Sequence, residues 1–152
     1  MGDVSDVFER GTDGPKVIVV GVDGSDTSLR AASYAAGLAR RQHSRLVVVH
    51  VRTGFPPMAG LVPGSAAVAA ETATEVSAEL ERMVVDGAAH IGIPVEFHSV
   101  RGDPFAELTR LADSLLADAV VVGASEQAGH RLVGSIAVRL VRSGRWPVTV
   151  VP

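Results

Sequence analysis

The chain has 152 residues, 47% hydrophobic and 20% charged, with a formal net charge of −3 and no cysteine. That length suits one domain around one core; a disulfide framework or a thiolate metal site is excluded, and so is the basic footprint of a nucleic-acid binder. Val and Ala dominate the apolar residues while aromatics supply only 4%, a mix suited to β-branched strands covered by alanine-rich helices.

Residues 1 to 15, "MGDVSDVFERGTDGP", lack periodicity and read as a flexible N-terminal arm preceding a domain over 16–152. The arm has neither the basic start nor the apolar run of a secretory signal, and the chain shows no apolar stretch of membrane-spanning length. A cytoplasmic protein without a membrane partner is the expectation.

The unbroken run Val17 to Val20, bounded by Gly21, predicts a strand buried on both faces. A helix follows, capped by Ser25 or Asp26, with Leu29, Ala32, Ala36 and Ala39 at helical spacing and "RRQHSR" as its basic end. "LVVVHV", from Leu46 to Val51, predicts a second buried strand, and the prolines and glycines of "RTGFPPMAGLVPGS" forbid regular structure after it. Ala69, Ala73, Val76, Leu80, Met83, Gly87 and Ile91 then keep a helical period until "GIP". "VEFHSV", Val95 to Val100, alternates apolar with polar, as an edge strand does. Asp103 and Pro104 fit the cap and first turn of a third helix whose Phe105, Leu108, Ala112 and Leu115 face one side. "AVVVG" is strand four, Ser135 to Ser143 helix four with Gly144 as its stop, and "PVTVV" strand five. Strands alternating with helices in this way predict an α/β fold, a single open parallel sheet with helices on both faces.

In such sheets the ligand crevice lies beyond the carboxyl ends of the strands, where neighbouring connections leave to opposite faces. Gly21 and Gly123 stand at two strand ends, each followed by a loop into a helix, so that a ligand could approach bare backbone there. The second helix start, at Gly134 and Ser135, would aim amides and a positive dipole at an anion. Both residues also fit a plain turn and cap. Asp23 is equally two-sided: it can brace its own turn, or accept hydrogen bonds from ribose hydroxyls or an adenine amino group.

Five segments, "VIVVGVDGSDTSLRAASYAAGLA", "LVVVHV", "GDPFAELTRLA", "DAVVVGA" and "GSIAVRLVRSGRWPVTVV", together resemble the universal stress protein family from Lys16 to Pro152. The resemblance implies a Rossmann-like sheet of order 3-2-1-4-5 and a stress-response regulator that binds ATP or another adenine nucleotide, with or without magnesium. Carried over by position, it implies Asp23 after strand one, Val51 as the adenine contact ending strand two, Gly123 ending strand four, and Gly134, Ser135 and the Ile136 amide as the phosphate site. It also implies a homodimer paired through the last strand, which the β-branched, uncharged "PVTVVP" suits as an open sheet edge.

The loop between these ends departs from the family pattern. Glu126 stands where a glycine belongs, and the loop is two residues shorter; a carboxylate repels a triphosphate and a shorter loop cannot present the same amides. Gly129 is the candidate replacement for the missing glycine, and Arg131 either offsets Glu126 or is a solvated loop residue. The alternative function is therefore a nucleotide-free dimeric regulator or scaffold whose shortened loop has closed the pocket.

Other chemistries fit less well. "GHRLVGS" has Walker A spacing but Ser135 where lysine is needed, and "GASEQ" lacks the closing glycine of a nucleophile elbow. The acidic pair of a receiver domain is missing from "GVDGS". The histidines at 43, 50, 90, 98 and 130 show no metal-binding spacing. His50 ends a strand close to the crevice, though a histidine there is as a rule a hydrogen-bonded structural residue. Arg139, Arg142 and Arg145 are explained by the end of helix four. No group is poised as a general base or nucleophile, so the activity expected is binding, with at most very slow ATP hydrolysis.

Overall fold

The structure is a computed structural model that describes residues 14–53, 63–125 and 133–152. The proposed N-terminal arm thus falls, apart from Gly14 and Pro15, outside the described residues. The elements run β1 (Val17–Val22), α1 (Asp26–Gln42), β2 (Arg45–Arg52), α2 (Ser65–Ile91), β3 (Val95–Arg101), α3 (Pro104–Ser114), β4 (Ala119–Gly123), α4 (Ser135–Ser143) and β5 (Val148–Val151). The strands form one parallel sheet in the order β3-β2-β1-β4-β5. The alternation of β3 does mark an edge strand.

Two cores lie on the two faces of this sheet. Ile18, Val20, Val22, Leu46, Val48 and Val121 pack with Ala31, Ala35 and Ala39 of α1 and Leu80 of α2. Val19, Val47, Val49, Val120 and Val122 pack with Leu108, Leu111 and Ala112 of α3 and Ala137 and Leu140 of α4. Successive strand residues point to opposite faces, so the solid valine runs are what a sheet covered on both sides requires. The α1 and α2 crossovers lead from β1 outward to β3, whereas the α3 and α4 crossovers cover the other face on the way to β5. The direction of travel reverses between β1 and β4.

Three local readings are corrected. Strand β1 does not stop at Gly21 but continues to Val22, with Gly21 paired to Val49 and Val22 to His50. In α1 the buried stripe is Thr27, Ala31, Ala35 and Ala39, with Leu29, Ala32 and Ala36 flanking it half-buried. Small residues at i, i+4 spacing bring the helix axis close to the sheet, which a stripe containing leucine would hold farther off. Helix α2 begins at Ser65, the last residue of the stretch read as irregular, and of the predicted face Ala69 to Ile91 only Leu80 is buried, together with Ser77, while Val76 and Met83 remain exposed. This helix covers the half-exposed β3 edge, where less of its circumference meets protein.

The caps follow the sequence closely. Ser25 accepts from the Ser28 N–H and closes α1, and Asp103 accepts from the Ala106 N–H at 2.9 Å and closes α3. The arginines of α4 do more than offset its dipole. Arg139 stacks over Phe105 with its guanidinium carbon 4.0 Å from the ring centroid and lies 3.8 Å from Asp103, and Arg145 binds Asp113 at 2.8 Å. Both tie the α4 segment to α3.

Candidate functional site

The reversal point between β1 and β4 opens into a cleft of about 690 Å³, within the range of small-molecule sites. Its lining includes His50, Val51 and Arg52 from the end of β2, Asp23 and Ser25 from the turn after β1, and Gly123, Ser125, Gly134, Ser135 and Ile136 from the end of β4 and the start of α4. Asp23, Val51, Gly123, Gly134, Ser135 and Ile136, far apart in the chain, thus face one space. Gly129, Glu126 and Arg131 lie outside the described residues.

The Asp23 turn is held by its own polar groups. The Ser25 N–H donates to Asp23 Oδ1 at 2.9 Å, the Asp23 N–H donates to Ser28 Oγ at 3.2 Å, and the Ser28 hydroxyl donates to the Ser25 carbonyl at 2.9 Å. Desolvation alone would raise the Asp23 carboxyl, but the hydrogen bonds from Ser25 and Ser28 outweigh it and hold the group below its ordinary value. Asp23 is therefore a carboxylate that braces its turn, and a carboxylate offers about four acceptor positions, of which the turn uses only part.

Gly123 has a packing reason for being glycine. A Cβ on it would stand 2.6 Å from the Thr27 carbonyl carbon and 2.7 Å from the Ser28 nitrogen, both backbone atoms that cannot swing aside. The Thr27 hydroxyl donates to the Ala124 carbonyl at 2.7 Å across the same contact. The first turn of α1 is thereby seated on the end of β4, forming the floor of the cleft. At Gly134 the restriction is milder: a Cβ would meet that of Ser125 at 3.2 Å. Gly134 supplies the N-cap of α4 without a side-chain hydrogen bond, unlike Ser25 at α1 and Asp103 at α3. An uncapped helix start facing a cleft suits an anionic group.

The sequence reading missed Thr27 and Ser28 as anchors, Arg52 as a wall residue, and Ala73 and Val76 of α2 as a third side of the cleft. The polar pair after the Ser25 cap was a usable signal for the anchors, whereas the α2 wall depends on helix placement alone. His50 also departs from expectation. It is 6% exposed, and its Nδ1 finds no hydrogen-bond partner among the described residues, a deficit of about 1–3 kcal/mol for a buried polar group. Burial first, and the positive charge of Arg52 second, push its pKa down against the opposing pull of Asp23, so the ring is neutral at neutral pH.

The fold and cleft define a class: a doubly wound α/β protein with a ligand crevice at its topological switch point. The chain belongs to the universal stress protein family, whose family model matches residues 15–152. Universal stress protein MJ0531 of Methanocaldococcus jannaschii is 29% identical over 151 residues, covering 97% of this chain and 88% of the relative. A solved structure of a family protein from Burkholderia pseudomallei matches at TM-score 0.70 and 27% identity, covering 95% of this chain and 99% of that one. A universal stress protein solved in complex with cAMP matches at TM-score 0.59 and 28% identity, covering 91% of this chain and 97% of that one.

Proposed function

We propose that this universal stress protein is a stress-response regulator that binds an adenine nucleotide in the cleft between β1 and β4. Asp23 and the Val51 backbone take the adenosine part, and Gly123, Gly134, Ser135 and the Ile136 amide take the phosphate part; Gly129, the further glycine the sequence offers, lies outside the described residues. The observation that carries this reading is the meeting of the Asp23 turn with the uncapped start of α4 across one cleft of about 690 Å³. A carboxylate acceptor and helix amides lining one cleft match the donor hydroxyls of a ribose and the charge of a phosphate. The family structure in complex with cAMP supports the same ligand class.

Calorimetric titration with AMP, ADP, ATP and cAMP, with and without magnesium, tests it. Binding of at least one nucleotide is expected, weakened about tenfold or more by Asp23→Ala and by Gly134→Glu. Absence of heat with all four nucleotides favours the nucleotide-free scaffold instead. We further propose that the protein is a homodimer paired through the β5 edge.

A further inference from the structure

A second opening lies on the face of the sheet covered by α1 and α2, between those two helices. Leu29, Ala32 and Ala36 of α1 stand across from Met83, Gly87 and Ile91 of α2 over an apolar groove of about 190 Å³. Its α2 wall is poorly covered, with Met83 46% exposed. Gly87 helps to keep the groove open. A Cβ there would meet nothing within 4 Å, so no neighbour among the described residues requires a glycine, although glycine inside a helix is destabilising relative to alanine. An apolar cavity of about 150 Å³ accepts a benzene ring, and the groove thus has room for one aromatic side chain.

Reach and charge name the occupant. One end of the groove lies at the amino edge of the sheet, where Ile91 ends α2 and Val95 begins β3. The chain enters β1 at that same edge: the Arg45 N–H donates to the Lys16 carbonyl at 2.8 Å, and the Leu46 N–H donates to the Pro94 carbonyl at 2.9 Å. Two strand spacings, about 10 Å, therefore separate the start of β1 from the start of β3. Residues 9–13, the five before Gly14, span up to about 17 Å when extended, which carries Phe8 to the groove with Val7 and Val4 behind it. Asp3, Asp6, Glu9 and Asp13 outnumber Arg10 in this segment. Gly14 lies against Gln42 in the last turn of α1, and that turn carries Arg40 and Arg41, both exposed and without an ion pair among the described residues. Arg40 stands one turn beyond Ala36 on the same helix face, so basic charge flanks the route of an acidic segment. We propose that the groove between α1 and α2 is the docking site of the chain's own residues 4–8, with the Phe8 ring in the space beside Gly87.

The test is nuclear Overhauser spectroscopy on the full chain, comparing wild type, Phe8→Ala and Gly87→Leu. The Phe8 ring protons, identified by their loss in Phe8→Ala, are expected to show NOEs to the Ala36 and Met83 methyl groups, and Phe8→Ala is expected to shift those methyl signals. Gly87→Leu fills the same space with an aliphatic side chain and is expected to abolish the NOEs in a folded protein. Absence of NOEs from Phe8 to both methyl groups in wild type, methyl signals unmoved by Phe8→Ala, or NOEs undiminished in a folded Gly87→Leu would each overturn the proposal. A sample mixing ¹³C-labelled with unlabelled protein separates contacts within one chain from contacts between copies. NOEs found only between copies would assign the groove to a second copy and overturn the assignment to the chain's own segment. Should Gly87→Leu fail to fold, the wild-type NOEs and the Phe8→Ala shifts decide. The groove is separate from the cleft between β1 and β4, so these outcomes do not depend on nucleotide binding.

Discussion

Gly123 at the end of β4 and Thr27 in the first turn of α1 approach so closely that a Cβ on the glycine would lie 2.6 Å from the Thr27 carbonyl carbon. Real Cβ contacts do not occur at that distance, so any side chain here must push α1 off the sheet. Gly123→Ala should lower stability by about 1–3 kcal/mol, the usual cost of overpacking, in ligand-free protein and thus independently of nucleotide. Gly134→Ala, whose nearest contact is the Ser125 Cβ at 3.2 Å, should cost less. Urea unfolding midpoints of the two variants measure the difference.

Asp23 is held below its ordinary value, so its hydrogen bonds stabilise the fold most when the carboxylate is charged. With the folded pKa below the unfolded one, the contribution is complete above the unfolded value of about 3.9 and disappears as pH falls through the folded value. Asp23→Asn should therefore lower stability at pH 7 by less than about 1 kcal/mol, because solvent screens an exposed group. The gap from wild type should close in strong acid. Denaturation series at pH 7 and pH 2.5 would reveal a constant gap if the turn did not depend on the charge.

His50 has the opposite charge type but a pKa shifted the same way. Its neutral form is favoured in the folded protein, so stability is full above about pH 6.5 and declines as the unfolded chain takes up a proton that the folded chain resists. The decline levels off once pH passes below the folded value. Thermal unfolding from pH 8 to pH 5 should show this slope in wild-type protein and a flatter one in His50→Asn.

Leu116 follows α3 with φ 52° and is 81% exposed. A leucine gains little packing there and bears the steric penalty of the left-handed region. Leu116→Gly should raise stability by about 0.5–1 kcal/mol, the relief of strain exceeding the entropy of the added glycine. A lowered unfolding midpoint would contradict that balance.

The proposed dimer turns on the free side of β5. The Pro147 and Val151 carbonyls accept from Val120 and Ala124 of the β4 strand and its end, so the intervening even-numbered backbone groups face the open edge. Val150 packs its side chain against the α3/α4 core, which makes a charged side chain there a test of folding as much as of pairing. Val150→Pro instead removes an outward N–H and should shift the protein from dimer to monomer in sedimentation equilibrium with its circular dichroism retained.

Much of this architecture was legible in one dimension because its signals are local. Buried strands announce themselves as short valine runs, Ser25 and Asp103 cap their helices within three residues, and Gly144 stops α4. The alternation of Val95 to Val100 identified an edge without knowledge of its neighbour. The positions meeting at the cleft, Asp23, Val51, Gly123 and Gly134 among them, were singled out by strand ends and by likeness to a family, and the fold faces them on one space.

By itself the sequence determined the order of elements, the parallel sheet and the end of that sheet where a ligand belongs, since period, caps and crossover handedness act over short stretches. Only the tertiary structure decided how α1 is rotated, because alanines occupy both Ala31, Ala35, Ala39 and Ala32, Ala36, and helical spacing cannot choose between such stripes. The same holds for Gly123, whose missing Cβ answers to Thr27, 96 positions earlier in the chain. It holds again for His50, whose unpaired nitrogen becomes visible only when Val22 and Ser99 are seen on either side of it. Each is a property of distances between remote residues, which packing sets and local patterning does not encode.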